Sequence, residues 1–258
     1  MSLSAEDAVV RRLRAAGCVF AEDEARLLMA EAGTTAELGA LVDRRVAGEP
    51  LEHVLGWAEF SGLRISVTPG VFVPRRRTEV LVEEAVHLAR PCAVVVDICC
   101  GSGALGVAVA GAVSGVELHA ADVDAAAVAC ARVNVARSGG RAYAGDLYAA
   151  LPPGLRGRVD LLLANVPYVP SEAIALMPPE ARLHEARVAL DGGADGLDVA
   201  RRVIADAPLW LAPGGSLLFE TSGDQAAAAL ETVTAAGLTA RLVTDDDRGA
   251  TVVVGTRD

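Results

Sequence analysis

Between residues 4 and 47, apolar side chains recur at three- and four-residue steps, first Ala8, Val9 and Leu13 and later Leu27, Leu28 and Ala32, with Gly17 and Gly33 as punctuation. That spacing lines one face of a helix and predicts a small helical unit over 1–47. The pattern then changes. In "EHVLGWAEFSGLRISV" aromatic and β-branched residues flank Ser61-Gly62, so 48–70 is read as a β-hairpin linker between two domains. A helix at roughly 77–90 ends before Pro91, and "AVVVDI" follows, an unbroken apolar run suited to a strand covered on both faces.

From there strands and helices alternate to the end of the chain. After "AVVVD" come a helix over 103–112, "VELHAAD", a helix over 124–137, "RAYAGD", "VDLLLAN", a helix near 195–209, "GSLLFE" and a helix over 223–236. Repeated β-α units of this kind predict an α/β domain over 71–258 with a doubly wound, mostly parallel sheet, whose ligands sit at the carboxyl ends of the strands. The last two strands, near 239–244 and 250–255, lie close together with only "DDDRGA" between them. No helical crossover fits there, so they are expected to form an antiparallel hairpin at the sheet edge.

Composition narrows the class. Of 258 residues, 52% are hydrophobic but only 3% aromatic, which suits a core of Ala, Val and Leu between sheet and helices. A net charge of −11 makes nucleic acid and anionic membranes disfavoured partners. Five cysteines, two of them adjacent, show neither a disulfide framework nor metal-ligand spacing, so no metal is expected and a reducing compartment is. The N-terminal stretch lacks the apolar core of a signal peptide, and no apolar run is long enough to span a bilayer. The protein is therefore expected in the cytoplasm.

The candidate chemistry lies at the strand ends. "DICCGSGALG" carries G-x-G-x-x-G at Gly101, Gly103 and Gly106, a turn that brings backbone N–H groups close to a ligand. In a dinucleotide site a pyrophosphate occupies this place, which makes the strand-end carboxylate of Asp97 unwelcome. A cationic or zwitterionic ligand such as S-adenosylmethionine suits it better. Loop residues Cys99, Cys100, Gly101, Ser102 and Gly103 join Asp97 as candidate cofactor contacts. Asp122, ending the next strand, can accept both ribose hydroxyls, as in NAD and S-adenosylmethionine sites alike. Asp124 is read as the following helix N-cap. Asp146, Leu147 and Tyr148 end the third strand near the expected adenine.

In "LLLANVPYVP" an apolar strand runs into Asn165, and Val166-Pro167-Tyr168 continues as a stiff backbone with an aromatic ring at the pocket mouth. These four are the candidate catalytic residues, and Asn165 is also counted with the cofactor site.

From about Gly48 onward the chain resembles the HemK-type protein-(glutamine-N5) methyltransferases. Their hallmark Asn-Pro-Pro-Tyr stands here as "NVPY", and "GEPLEHVLG", "VTPGVFVPRRRTE", "DICCGSG", "GDLYAAL", "ALDGGADGLD" and "LAPGGSLLFE" match in order and spacing. The resemblance implies a seven-stranded, Rossmann-like class I methyltransferase sheet and transfer of a methyl group from S-adenosylmethionine to a glutamine amide nitrogen, leaving S-adenosylhomocysteine. It implies a protein substrate, a translation release factor with a Gly-Gly-Gln loop or another glutamine-bearing protein. It assigns the amide to the Asn165 side-chain oxygen and the Val166 carbonyl, with Tyr168 packing against the glutamine. Cys99 replaces the first loop glycine and Val166 the first proline of the hallmark. The helical stretch before "GEP" is shorter than such proteins usually carry.

Three other readings compete: an adenine methyltransferase acting on nucleic acid, a non-enzymatic cofactor-binding module and a dehydrogenase. Cys99 and Cys100 are read as small loop residues rather than redox groups, and none of the four histidines is given a catalytic role. Arg75, Arg76 and Arg77 are read as a solvated helix start, with a substrate-facing basic patch as the alternative.

Overall fold

The computed structural model describes residues 4–258. Its N-terminal helices are α1 (Ala5–Ala15), α2 (Ala21–Glu31), α3 (Thr35–Val46) and the short α4 (Leu51–Leu55). Ser4 and Asp7 form a reciprocal capping box on α1, satisfying backbone N–H groups that the first turn leaves without partners. Val9, Leu13, Ala21, Ala25, Leu28, Val42 and Val54 bury one another in a separate small core. Val54 belongs to that core, so the stretch after Gly48 is helical rather than hairpin. Gly56, at φ 80°, ends α4, and the hairpin is confined to β1 (Trp57–Phe60) and β2 (Leu63–Ser66). Ser61 (φ 49°) and Gly62 (φ 71°) are both left-handed, the two-residue turn whose twist matches paired strands.

The C-terminal part follows as α5 (Glu79–Leu88), β3 (Val94–Ile98), α6 (Ala104–Ala112), β4 (Glu117–Asp122), α7 (Ala125–Ala136), β5 (Arg141–Ala144), β6 (Val159–Ala164), α8 (Pro179–His184), α9 (Asp198–Trp210), β7 (Leu211–Glu220), α10 (Ala226–Ala235), β8 (Thr239–Asp245) and β9 (Ala250–Thr256). The seven strands lie in the order β5-β4-β3-β6-β7-β9-β8. Pairings from β5 to β7 are parallel, while β9 runs antiparallel to both β7 and β8, as the short connection requires.

Every residue of β3 is buried, which is why its sequence is an apolar run rather than an alternating one. Val96, Ile98, Leu162 and Phe219 pack toward α9 and α10 on one face. Val95, Leu161, Leu163 and Leu218 pack toward α5 and α6 on the other. Chain order reverses at β3, with β4 on one side and β6 on the other. Crossovers leave that point in opposite directions, opening a crevice beyond the carboxyl ends of the strands.

Candidate active site

The turn from β3 into α6 runs from Cys99 to Gly103. Cys99 (φ 54°), Gly101 (φ 54°) and Gly103 (φ 77°) are all left-handed, so Cys99 occupies a glycine conformation with a side chain in place. Burial, aided by the carboxylates of Asp122 and Asp97, pushes the Cys99 thiol up, away from thiolate chemistry. Gly106 is required one turn into α6: a Cβ there would stand 2.6 Å from Leu118 Cδ1 and 3.2 Å from Asp97 Cβ. Asp97 itself is fully buried beneath that turn. Its Oδ2 accepts the Gly106 N–H at 3.0 Å, and its Oδ1 has no partner among the described residues. Burial pushes its carboxyl up to about 8, against the opposing pull of the Gly106 N–H.

A cavity of about 330 Å³ opens beside the loop. Cys99, Cys100, Gly101 and Ser102 form one wall, but Asp97 and Gly103 are not on it: Asp97 lies behind the loop and Gly103 caps α6. Asp122 is on the wall. Its Oδ2 accepts the Gly101 N–H at 2.8 Å and its Oδ1 the Asp124 N–H at 2.9 Å, leaving one lone pair per oxygen for a ligand. Burial raises its pKa while these backbone donors lower it, and the net direction is upward. Asp124 caps α7 through the Ala126 N–H.

Asp146 and Leu147 also line the cavity, Asp146 in an ion pair with Arg202 at 2.5 Å. Tyr148 faces away, donating its hydroxyl to the Val203 carbonyl at 2.7 Å and stacking on Trp210.

Across the cavity, β6 delivers Asn165, Val166, Pro167 and Tyr168 in succession. The Asn165 side chain is half-buried and makes no hydrogen bond to a described residue. The turn after it is held by residues that its sequence does not announce. Gln225 Nε2 donates to the Tyr168 carbonyl at 2.9 Å and to the Asp195 carbonyl at 2.8 Å. "DGGADG" packs against the same turn: a Cβ on Gly192 would lie 2.7 Å from the Pro167 carbonyl oxygen, and one on Gly196 would lie 2.3 Å from that of Tyr168. The glycines of this motif let one backbone lie against another.

The arginine run divides. Arg76 is exposed, as a solvated helix start would have it. Arg75 instead pairs with the buried Glu185 at 2.5 Å, and Arg77 pairs with the buried Glu220 at 2.9 Å while its Nη2 donates to the Tyr168 hydroxyl. Glu220 escaped the sequence reading although it ends an apolar strand, the signal that singled out Asp97 and Asp122. Gln225 had no such signal, since its partners come from distant segments.

The wall fits a phosphate-free nucleoside better than a dinucleotide. Each arginine lining it, Arg75, Arg77 and Arg202, already faces a carboxylate, so no cation there is free for a pyrophosphate. Asp122 offers the acceptors that ribose hydroxyls need. Among the described residues, no group of three or more His, Cys, Asp or Glu side chains could hold a metal, and no helix is long and apolar enough to cross a membrane.

Comparison with known proteins gives the family and the fold. Residues 62–195 match the family model of the methyltransferase small domain. A release factor glutamine methyltransferase from Geobacter sulfurreducens is 40% identical over 219 residues, covering 84% of this chain and 76% of that protein. One from Cereibacter sphaeroides is 35% identical over 97% of this chain and 96% of its own length, so the likeness runs through the N-terminal helices. A methyltransferase crystal structure from Pyrococcus furiosus shares the fold, with a TM-score of 0.57 at 17% identity over 76% of this chain and 89% of that one. The chain belongs to the release factor glutamine methyltransferase family.

Proposed function

We propose that this chain transfers the methyl group of S-adenosylmethionine to the side-chain amide nitrogen of a glutamine in a translation release factor, the glutamine of its Gly-Gly-Gln loop. The observation that carries the reading is Asn165: a half-buried amide with no hydrogen bond to a described residue, lining a cavity whose other wall is the glycine-rich loop and Asp122. An amide side chain matches the donor and acceptor pattern of another amide.

An amide nitrogen is a weak nucleophile because its lone pair is delocalised into the carbonyl. S-adenosylmethionine supplies an electrophilic methyl on a sulfonium, and the chain's own residues supply the geometry. Asp122 would accept the ribose hydroxyls, and the loop from Cys99 to Ser102 would hold the amino acid end. Asn165 Oδ1 and the Val166 carbonyl each accept one N–H of the glutamine amide, so the nitrogen is held in line with the methyl group. With S-adenosylmethionine bound, the sulfur–methyl bond would break as the methyl went to the held nitrogen, and the surplus amide proton would leave to solvent. Holding both reactants in this way can supply on the order of 7–11 kcal/mol of the barrier reduction. The five free cysteines suit a reducing compartment, and the cytoplasm is the proposed site of action.

Labelled S-adenosylmethionine, offered with the host's release factors and with their Gln→Ala loop variants, tests this reading. Label on the wild-type factor that is lost with Gln→Ala supports it. Label that persists on the variant, or that goes to nucleic acid instead, overturns it.

A further inference from the structure

We infer that Glu220 is a positioning residue of the transfer site, fixing the Tyr168 ring against the acceptor although it does not itself reach the cavity. The inference rests on the proposed function for what Tyr168 faces, and on geometry for the rest. Glu220 ends β7, and its side chain is 2% exposed. Its Oε1 accepts from the Tyr168 hydroxyl at 2.7 Å and from Arg77 Nε at 2.9 Å, and its Oε2 accepts from Thr78 Oγ1 at 2.5 Å. Arg77 Nη2 closes the triangle by donating to the Tyr168 oxygen at 2.5 Å.

Both polar valences of the tyrosine are therefore directed into the protein. What remains for the cavity is the ring, pinned at its far end. A hydroxyl tether removes rotational freedom that packing alone leaves to a half-buried tyrosine ring, and here the tether is a buried carboxylate held by three donors.

Stability alone is a poor reason for such a group. A buried ion pair often contributes less than apolar side chains of the same volume, because desolvation offsets the attraction. An apolar residue at the end of β7 would pack as well, but it would release the ring. The main chain of Tyr168 is held separately, through Gln225 and its carbonyl. Loss of Glu220 should thus free the ring without moving the peptide, and the cofactor wall at Asp122 should not notice.

The test is a cycle of Glu220→Gln, Tyr168→Phe and the double variant, with kcat/KM for the release factor and Kd for S-adenosylmethionine as readouts. Each single change should lower acceptor kcat/KM on the order of 10- to 100-fold, the scale of a small misplacement of reactants. Cofactor Kd should stay within about twofold, as expected of groups off the cofactor wall. The double variant should be no worse than the worse single one. Unchanged kcat/KM in Tyr168→Phe overturns the inference, as does a Glu220→Gln effect that multiplies in full on the Tyr168→Phe background or that weakens cofactor binding equally. If Glu220→Gln does not fold, Arg77→Lys takes its place in the cycle. A second readout needs no acceptor: the NMR signal of the Tyr168 ring, identified by its loss in Tyr168→Phe, should shift and broaden in Glu220→Gln. Absence of transfer by the wild-type protein would count against the proposed function, whereas an unmoved ring signal counts against the role of Glu220.

Discussion

The Asp122 carboxylate receives the Gly101 N–H at 2.8 Å, so the acid ending β4 also closes the loop that follows β3. One side chain thereby shapes the loop and offers acceptors to the ribose. Asp122→Ala should weaken S-adenosylmethionine binding by about 1–3 kcal/mol, the scale of losing hydrogen bonds to a charged group. Isothermal calorimetry measures it, and unchanged affinity would remove Asp122 from the cofactor site.

Asn165 serves the acceptor in this account. Asn165→Ala should abolish methyl transfer while cofactor affinity stays within a few-fold, because the loop and Asp122 are untouched. Single-turnover transfer beside calorimetry separates the two effects, and loss of cofactor binding would show the assignment to be wrong.

Gly196 has φ 80°, and a Cβ there would meet Gln225 Nε2 at 2.2 Å and the Tyr168 carbonyl oxygen at 2.3 Å. Gly196→Ala must push apart the two backbones that hold the Asn165–Tyr168 turn. Transfer should fall on the order of 100-fold from this displacement, with cofactor affinity largely kept. Steady-state rates against release factor concentration check it.

Asp97 gives a pH dependence whose sign is fixed by burial. Its carboxyl is raised from an ordinary 3.8 to about 8, so between those values the folded protein holds a proton that the unfolded chain releases. The folded state then binds more protons than the unfolded one, and its stability falls as pH rises through this window. Asp97→Asn removes that dependence. Thermal melts of the two proteins should show the variant gaining on the wild type as pH goes from 5 to 8, and parallel curves would contradict the account.

Arg45 ties the N-terminal helices to α8. Its side chain, 10% exposed, pairs with Glu24 on α2 at 2.7 Å and also reaches Glu180 on α8. Removing it strands the buried Glu24 carboxylate, and breaking a buried pair from one side costs about 3–5 kcal/mol. Arg45→Ala should show that loss in urea unfolding followed by helical circular dichroism.

The central strands β3 and β6 were legible because each is an apolar run covered on both faces, and the terminal hairpin because "DDDRGA" leaves no room for a crossover. Helix α4 was not legible. Leu51, Val54 and Leu55 are too few for periodicity to separate helix from strand, and their burial among α1–α3 decides the matter. At the site, Asp97 and Asp122 carry the same signal, an acid after an apolar strand, yet one carboxylate points under a helix and the other into the cavity. Strand-end position does not determine where such a side chain turns. Arg77, Glu220 and Gln225 meet only because distant segments converge on the turn after Asn165, and a sequence read locally contains no trace of that convergence.

The central claim is that a glutamine amide nitrogen is the methyl acceptor. Tandem mass spectrometry of a release factor incubated with this protein and S-adenosylmethionine reads the modified atom most directly. The account predicts one added methyl on the side chain of the Gly-Gly-Gln glutamine, absent when Asn165→Ala replaces the wild-type enzyme. A methyl on any other residue, or on the same glutamine in equal amount with the variant, would contradict it.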